Sequence, residues 1–200
     1  MKIAMFGGSF DPVHNDHVKL CKSMLSEFSL DRVVVFPAAC SPFKFNTQTA
    51  TFHRLNMCRL AFANESKVEV SDFEILKGGK SYTVDTLKHL KEIYPDGELY
   101  LIVGADAFMT LDKWYNAPEI FQLAHILTVV RDDDTIEDLQ EKAQQYKVFN
   151  PRYTLVNRAI GETSSSKIRE QLKSGVFSDI DLPTSVFNYI KDNGLYGYGN

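Results

Sequence analysis

No run of about 18 consecutive apolar residues occurs in the 200-residue sequence, so the usual pattern of a membrane-spanning helix is missing. The first residues enter a strand-like KIAMF segment and lack the long apolar region and the cleavage site of a secretory signal. We therefore expect a cytoplasmic protein without a membrane partner.

The sequence also has few cysteines and no net positive charge. Cys21, Cys40 and Cys58 are an odd number without the paired spacing of a metal site, which predicts free thiols in a reducing compartment. The 26 acidic residues outnumber the 22 basic ones and give a net charge of −4. This charge argues against a nucleic-acid partner, while a locally positive pocket for small acidic substrates stays open.

The sequence does contain a regular alternation of short apolar segments and longer amphipathic ones. β-Branched runs such as Val33–Val35 are typical of strands that are buried on both faces. The alternation predicts a parallel sheet covered by helices on both sides. The predicted strands are Ile3–Phe6, Val33–Phe36, Val68–Val70, Leu99–Val103, Ile126–Val130 and Tyr153–Val156, and the predicted helices are His17–Phe28, Phe52–Ala63, Val84–Tyr94, Ile120–Ala124, Ile136–Gln145, Ser166–Lys173 and Ser185–Asp192.

The carboxyl ends of the strands are the expected ligand-binding edge, because parallel sheets bind ligands in the crevice beyond those ends. Residues 37–51 and 74–82 are the longest stretches predicted to be irregular, and such loops often contact ligands. The predicted loops at this edge are Gly7–His14, Pro37–Lys44, Gly104–Asp106 and the one at Arg131.

The first of these loops contains GGSFDPVHNDH, residues 7–17. Gly7 and Gly8 would let backbone N–H groups approach an anion at the start of a helix, although a tight turn explains the pair equally well. His14 and His17 are three residues apart and would share one helix face. They could bind a polyphosphate, cap the helix, or ligate a metal with a neighbouring aspartate, but their spacing is unusual for zinc.

This segment resembles the GGxFDPxHxGH signature of the nucleotidyltransferase superfamily. Further segments resemble bacterial nicotinate mononucleotide adenylyltransferases in the order of that family, and together they extend over essentially the whole chain. Pantetheine-phosphate adenylyltransferases and cytidylyltransferases share the first motif but lack the SYTxDTL, GADxF and KWYN series. The further segments are PAACSPFK (37–44), SYTVDTL (81–87), ELYLIVGADAF (98–108), KWYN (113–116), LTVVRDDD (127–134), SSSKIRE (164–170) and DLPTSVFNYIKDNGLY (181–196).

The resemblance implies adenylyl transfer from ATP, with Mg²⁺, to nicotinate mononucleotide, which gives nicotinate adenine dinucleotide and pyrophosphate in NAD biosynthesis. A phosphate monoester is already ionised at neutral pH, so direct in-line attack needs no covalent intermediate, and the site has to stabilise anionic charge. The implied catalytic residues are His14, His17, Lys44 and Arg169. The implied ATP-binding residues are Gly7, Gly8, Ser9, Phe10, Gly104, Asp106, Ser165 and Ser166, and the implied mononucleotide-binding residues are Tyr82, Thr83, Trp114 and Arg131.

Ordinary structural roles compete with several of these assignments. Surface exposure would explain Lys44 or Arg131, helix capping would explain Asp106 or the serines, and packing would explain Trp114. In the family, an aromatic residue at the Trp114 position stacks on the pyridine ring. Backbone amides near Tyr82 receive the nicotinate carboxylate, which would select the acid over the amide.

Position 16 departs from the family pattern, because Asp16 stands where glycine is usual. Its carboxylate either points away and favours the helix N-terminus through the dipole, which is the interpretation we favour, or it weakens ATP binding by repulsion or repurposes the site. Smaller departures are Thr163 in place of a frequent isoleucine, Ser166 in place of threonine, and Phe43 in place of histidine.

We therefore predict a single Rossmann-like α/β nucleotidyltransferase domain over residues 1–200, with a doubly wound parallel sheet and a small helical C-terminal subdomain over about residues 160–200. Two alternative functions stay open. Under these alternatives, the chain is either another nucleotidyltransferase of the same fold or a nucleotide-binding paralogue that Asp16 has made non-catalytic. The expected partners are ATP and nicotinate mononucleotide, a homo-oligomer is left open, and no metal-ligating residues are assigned. No motif includes His53, His89 or His125, and we assign them no role.

Overall fold

The structure is a computed structural model that describes residues 1–40, 49–130, 134–157, 161, 163–175, 177 and 180–198. Within these residues six strands form one sheet in the order β3-β2-β1-β4-β5-β6, and all the pairings are parallel. This is the doubly wound strand order of the Rossmann fold, so the predicted fold class is confirmed. The strands are β1 (Lys2–Gly8), β2 (Arg32–Pro37), β3 (Val68–Val70), β4 (Glu98–Gly104), β5 (Ala124–Val130) and β6 (Tyr153–Asn157).

Helices connect the strands and follow the last one. The predicted helices are all present with ends shifted by a few residues, whereas α3 contradicts the prediction that residues 74–82 are irregular. A helix of five residues is too short to show a helical period in the sequence. The helices are α1 (Asn15–Glu27), α2 (Thr51–Ala61), α3 (Phe73–Lys77), α4 (Thr83–Ile93), α5 (Ala105–Phe108), α6 (Ala117–Leu123), α7 (Asp134–Gln145), α8 (Ser165–Ser174) and α9 (Thr184–Asp192).

Apolar residues on both faces of the sheet build two separate cores. Along β1, Ala4 and Phe6 belong to one core while Ile3 and Met5 belong to the other, because successive strand residues point to opposite faces. Helices α1, α2, α8 and α9 supply buried residues to the first core, and α4, α5, α6 and α7 supply them to the second.

The C-terminal helices share the first core with the N-terminal strand. Ile168 and Leu172 of α8, together with Val186 and Ile190 of α9, are buried in the same cluster as Phe6. Helices α8 and α9 therefore pack on the same face of the sheet as α1 and α2. Among the described residues, no helix combines the length and the apolar character needed to cross a membrane.

Candidate active site

A cavity of about 430 Å³ lies at the carboxyl ends of β1 and β4, where the strand order of the sheet reverses. Such a switch point is the general ligand-binding place of doubly wound sheets. The structure brings residues predicted for both substrates together there. The predicted residues that line the cavity are Gly7, Gly8, Ser9, Tyr82, Thr83, Asp106 and Trp114.

Close packing leaves little room for a side chain at the second glycine of the opening motif. A Cβ at Gly8 would lie 3.0 Å from the ring of Phe10, which is only 3% exposed. That ring packs edge-on against Phe6 and His17, with centroid distances of 5.3 and 5.1 Å. Since the Phe10 ring is buried, this residue can offer a nucleotide only its backbone atoms.

The two histidines of the motif lie together at the start of α1, as their spacing predicts. Their ring centroids are 3.6 Å apart, and the backbone N–H of His14 donates to Nδ1 of His17 over 3.1 Å. Because His17 Nδ1 accepts this bond, the proton of a neutral His17 ring lies on Nε2. Nε2 of His17 is thus fixed as the donor atom.

Helix α8 is attached to the same motif. Ser164 caps the helix by accepting from the N–H of Lys167, so the predicted serines Ser165 and Ser166 begin the helix rather than cap it. Ser165 Oγ donates to the carbonyl of Pro12 over 2.9 Å. Arg169 donates to the carbonyl of Asp11 over 2.7 Å and to Ser166 Oγ over 3.2 Å.

The last turn of the described chain closes the same loop. Tyr196 donates its hydroxyl to the Asp11 carboxylate over 2.7 Å. Burial, followed by the charge of Asp11, raises the pKa of Tyr196, so this hydroxyl keeps its proton and remains the donor. The sequence placed Tyr196 only in a C-terminal motif and gave no sign of this contact.

The first turn of α4 presents backbone donors to the cavity. Tyr82 is the N-cap residue of α4, and within the described residues no side chain caps this end. The first N–H groups of a helix have no partner inside the helix and favour an anion. Next to them lie the half-buried ring of Trp114 and the ring of Tyr115, whose centroid is 4.6 Å from that of Tyr82.

The end of β4 leads directly into α5. Gly104 is the N-cap residue of α5, so Asp106 lies in its first turn and does not cap it. The exposed side chain of Asp106 lines the cavity, where it can accept a hydrogen bond from a ligand hydroxyl.

Glu74 is a cavity residue that sequence reasoning missed. It is 5% exposed, and Oε1 accepts from Thr86 Oγ1 over 2.7 Å. Burial raises the pKa of Glu74, and the hydrogen bonds from Thr86 and Ser81 oppose that shift only in part. One sequence feature could have pointed to Glu74, namely that it lies between the apolar residues Phe73 and Ile75. A glutamate is rarely buried without a partner, so a buried one is a candidate site residue.

Arg54 is a second residue that the sequence did not point out. Its side chain is 0% exposed, and its guanidinium donates to the carbonyl of Ser9 over 2.6 Å and to that of Ala38 over 2.7 Å. These carbonyls follow β1 and β2, so Arg54 ties the ends of two adjacent strands beside the cavity. It also donates to the carbonyl of Thr49, and burial lowers its pKa.

Asp16 faces Gly161 and Thr163 through its carboxylate, which accepts hydrogen bonds from the N–H of Thr163 and from Lys19. The favoured sequence-based interpretation, a carboxylate that points away from the phosphates of ATP, stays a prediction. The predicted residues Lys44 and Arg131 lie outside the described residues.

The remaining histidines have structural partners. His53 and His125 share hydrogen bonds with Tyr189 and Thr154, and the ring of His89 stacks on Phe73. Cys21, Cys40 and Cys58 all lie within the described residues and form no disulfide. In the described part of the chain, no group of three or more His, Cys, Asp or Glu residues is placed to hold a metal ion.

Comparison with known proteins identifies the relatives of this chain. The cytidylyltransferase-like family matches residues 5–171. A probable nicotinate-nucleotide adenylyltransferase of Citrifermentans bemidjiense is 36% identical over 98% of both chains. One of Desulfitobacterium hafniense is 38% identical over 98% of this chain and 95% of its own length.

A solved structure supports the fold. The Plasmodium falciparum nicotinic acid mononucleotide adenylyltransferase complexed with NaAD matches with a TM-score of 0.82 and 24% identity, over 99% of this chain and 98% of that one. The near-complete coverage agrees with the β3-β2-β1-β4-β5-β6 sheet described above. The chain belongs to the cytidylyltransferase-like family and, within it, to the nicotinate-nucleotide adenylyltransferases.

Proposed function

We propose that this chain transfers the adenylyl group of ATP to nicotinate mononucleotide and releases pyrophosphate. The observation that carries the proposal is the cavity at the β1–β4 switch point, which Gly7 and Gly8 line together with the start of α4 and the rings of Trp114 and Tyr115. The paired histidines follow these glycines at the start of α1, next to the cavity lining rather than within it. One part suits a triphosphate, and the other suits a planar ring with a carboxylate.

The reaction places an ionised phosphate oxygen of the mononucleotide in line with the α-phosphorus of ATP. A new phosphorus–oxygen bond forms there while the bond to the β-phosphate oxygen breaks, and that electron pair leaves with pyrophosphate. Since both reactants are anions, the barrier falls when donors and cations surround the phosphates. No residue of the chain has to become covalently bound.

His14 and His17 are the proposed catalytic residues at the α-phosphate and the leaving group. The N–H at Nε2 of His17 is held by the bond at Nδ1 and can donate to a phosphate oxygen. Arg169 is the proposed cation from α8, and its guanidinium is already oriented by Asp11 and Ser166. Lys44 is proposed as a further cation on grounds of resemblance alone.

The remaining ATP contacts follow from position. Gly7, Gly8, Ser9 and Phe10 would offer backbone atoms to the phosphates, and Ser165 and Ser166 would do so at the start of α8, which has ten residues. The segment from Gly104 to Asp106 would receive the adenosine, with the Asp106 carboxylate accepting from ribose hydroxyls.

The nicotinate end is proposed to bind where α4 begins. The backbone N–H groups near Tyr82 and Thr83 would receive the pyridine carboxylate, and Trp114 would stack on the ring. A carboxamide also presents N–H donors, which face the helix N–H groups unfavourably. Arg131 is proposed for the mononucleotide phosphate on resemblance alone.

Mg²⁺ is proposed to arrive with ATP. Proteins usually hold Mg²⁺ through one or two carboxylates together with substrate phosphates and water, and the lack of a three-residue metal cluster in the described residues fits that arrangement. When bound to the phosphates, the cation would supply charge neutralisation during transfer.

The chain is also proposed to act as one domain, because α8 and α9 bury their apolar residues in the same core as β1. We further propose that it works in the cytoplasm, where ATP is supplied. A homo-oligomer is a further proposal, for which no interface is described.

The test measures pyrophosphate release with ATP, Mg²⁺ and either nicotinate mononucleotide or nicotinamide mononucleotide. We expect turnover with both, and a higher kcat/KM for the nicotinate substrate. Tight ATP binding without release from either substrate would instead support a non-catalytic nucleotide-binding paralogue.

A further inference from the structure

Asp16 is a buried acidic residue in the first turn of α1 whose two oxygens are both occupied. The residue is 3% exposed. Oδ2 accepts from the backbone N–H of Thr163 over 3.0 Å, and Oδ1 accepts from the Lys19 ammonium over 3.1 Å. Hydrogen bonds to a charged acceptor are stronger than neutral ones, so the carboxylate holds a segment that lies 147 positions away in sequence.

Gly161 is matched to this carboxylate. A Cβ at Gly161 would lie 2.4 Å from Oδ1 and 2.5 Å from Oδ2 of Asp16, and its φ of +119° is one that other residues rarely adopt. Only glycine allows the backbone to pass so close. The carboxylate of Asp16 thus occupies the space that a side chain at position 161 would need.

The joint between α1 and the segment before α8 also includes Asp181, which precedes α9 and accepts a hydrogen bond from the Thr163 side chain. Asn15 donates its side-chain amide to the Asp181 carboxylate over 2.8 Å, and Lys19 lies 3.9 Å from that carboxylate. Burial acts to raise the pKa of Asp181, but hydrogen bonds from Asn15 and from the Thr163 side chain, with the charge of Lys19, outweigh it and lower the pKa. Asp181 is therefore an anion at neutral pH that shares the Lys19 cation with Asp16.

The joint lies directly before the proposed phosphate-binding part of α8. Thr163 is followed by the cap residue Ser164 and then by Ser165, whose hydroxyl donates to Pro12. We propose that Asp16 is a positioning residue, which fixes the start of α8 against the histidine-bearing start of α1 so that both face the phosphates of ATP. This inference rests on the proposed function, because it takes α8 as part of the ATP site.

Three variants test it in the full chain. Asp16→Ala removes both bonds, Asp16→Asn keeps an amide oxygen that can accept from Thr163, and Met24→Ala removes a buried side chain on the same helix without touching the joint. The measurements are KM for ATP, KM for nicotinate mononucleotide, the melting temperature, and hydrogen exchange of the Thr163 amide.

We expect Asp16→Ala to raise the KM for ATP about tenfold, the size typical of a lost hydrogen bond to a charged group. The KM for nicotinate mononucleotide should stay within about twofold, since α4 and Trp114 are not part of the joint. Asp16→Asn should recover most of the ATP affinity and the slow exchange of the Thr163 amide. Met24→Ala should lower the melting temperature but leave both KM values near those of the unchanged chain.

A double-mutant cycle with Gly161→Ala gives a second readout. Alanine at 161 collides with the carboxylate only when Asp16 is present, so its effect on the KM for ATP should be smaller in the Asp16→Ala background. Additive effects would mean that the two residues act independently, and the proposal would be wrong.

The proposal also fails if the Thr163 amide exchanges faster in the Asp16→Ala variant while the KM for ATP is unchanged. It fails equally if this variant raises the KM for ATP and the KM for nicotinate mononucleotide by the same factor. Absence of turnover in the unchanged chain would overturn the proposed function alone. In that case the dissociation constant for ATP, measured by calorimetry on the same variants, replaces KM. A weaker affinity in Asp16→Ala that Asp16→Asn restores would support the proposal, and an unchanged affinity would contradict it.

Discussion

The two sides of the candidate site are built in different ways. The histidine side, formed by residues 7–17, the start of α8 and Tyr196, is joined by hydrogen bonds between residues 153, 158 and 185 positions apart. On the cavity side, formed by Glu74, the start of α4, Trp114 and Tyr115, the Glu74–Thr86 bond joins residues only 12 positions apart.

This difference matches the chemistry proposed for each side. Phosphoryl chemistry depends on donors held in a fixed geometry, and long-range bonds provide such rigidity. Recognition of a flat ring needs mainly a shaped apolar wall and a few oriented amides, which a short stretch of chain can supply. Substitutions on the histidine side should therefore change kcat or ATP affinity, while those on the cavity side should change the KM for the mononucleotide.

The largest effect is expected for His17→Ala. Loss of an oriented donor at a developing charge should lower kcat about 10²- to 10³-fold. The KM for nicotinate mononucleotide should change little, because the substitution is on the histidine side. Pyrophosphate release measures both constants, and His89→Ala on α4 is the matched control that should keep full activity. Equal losses for the two variants would contradict the division into two sides.

Arg54→Met should have the second largest effect, and on stability. It leaves the carbonyls of Ser9 and Ala38 without their buried donor, which should lower the free energy of unfolding by about 3 kcal/mol or more. Urea unfolding measures this. The control Arg59→Met, on the same helix, breaks only an exposed ion pair with Asp72 and should change stability by about 0.5 kcal/mol at most. Similar losses of unfolding free energy in the two variants would show that the bonds from Arg54 to the Ser9 and Ala38 carbonyls do not stabilise the fold.

Trp114→Ala should raise the KM for nicotinate mononucleotide about tenfold through loss of stacking, which corresponds to roughly 1.4 kcal/mol. The KM for ATP should stay within about twofold. Trp114→Phe keeps an aromatic face and should recover most of the affinity. If phenylalanine and alanine behave alike in steady-state kinetics, the ring does not bind by stacking.

The smallest effect is expected for Glu74→Gln, and it should depend on pH. Burial raises the pKa of Glu74 in the folded chain, so the folded state binds more protons than the unfolded state between the two pKa values. Stability from this group is therefore greatest at low pH and falls as the pH rises through the raised pKa. Glutamine can accept from Thr86 without ionising, so the variant should lose less stability than the unchanged chain as the pH rises above the ordinary pKa of a glutamate.

Urea unfolding at several pH values measures the Glu74 effect, and the exposed Glu92→Gln on α4 is its control. Parallel pH profiles for the Glu74 variant and the unchanged chain would mean that this carboxylate does not titrate differently on folding.

Much of the fold and part of the site could be read from local patterns. The Gly7–Gly8 pair and the His14–His17 spacing lie within one strand–helix junction, so their geometry follows from helix and strand periods. The direction of the Asp16 carboxylate could not be read in this way, because its partner Thr163 is distant in sequence. The burial of Arg54 could not be predicted for a similar reason. An arginine in a helix normally indicates the solvent face, and its burial is explained only by the carbonyls of Ser9 and Ala38, which follow two different strands.

The bond from Tyr196 to Asp11 has a consequence for the order in which the protein is made. The ribosome synthesises Asp11 early, yet the partners Arg169 and Tyr196 are translated 158 and 185 residues later. The hydrogen bonds that Asp11 receives from Arg169 and Tyr196 can therefore form only after these late residues have been synthesised. A nascent chain arrested before Tyr196 carries the complete opening motif but lacks the hydrogen bond from Tyr196 to the Asp11 carboxylate.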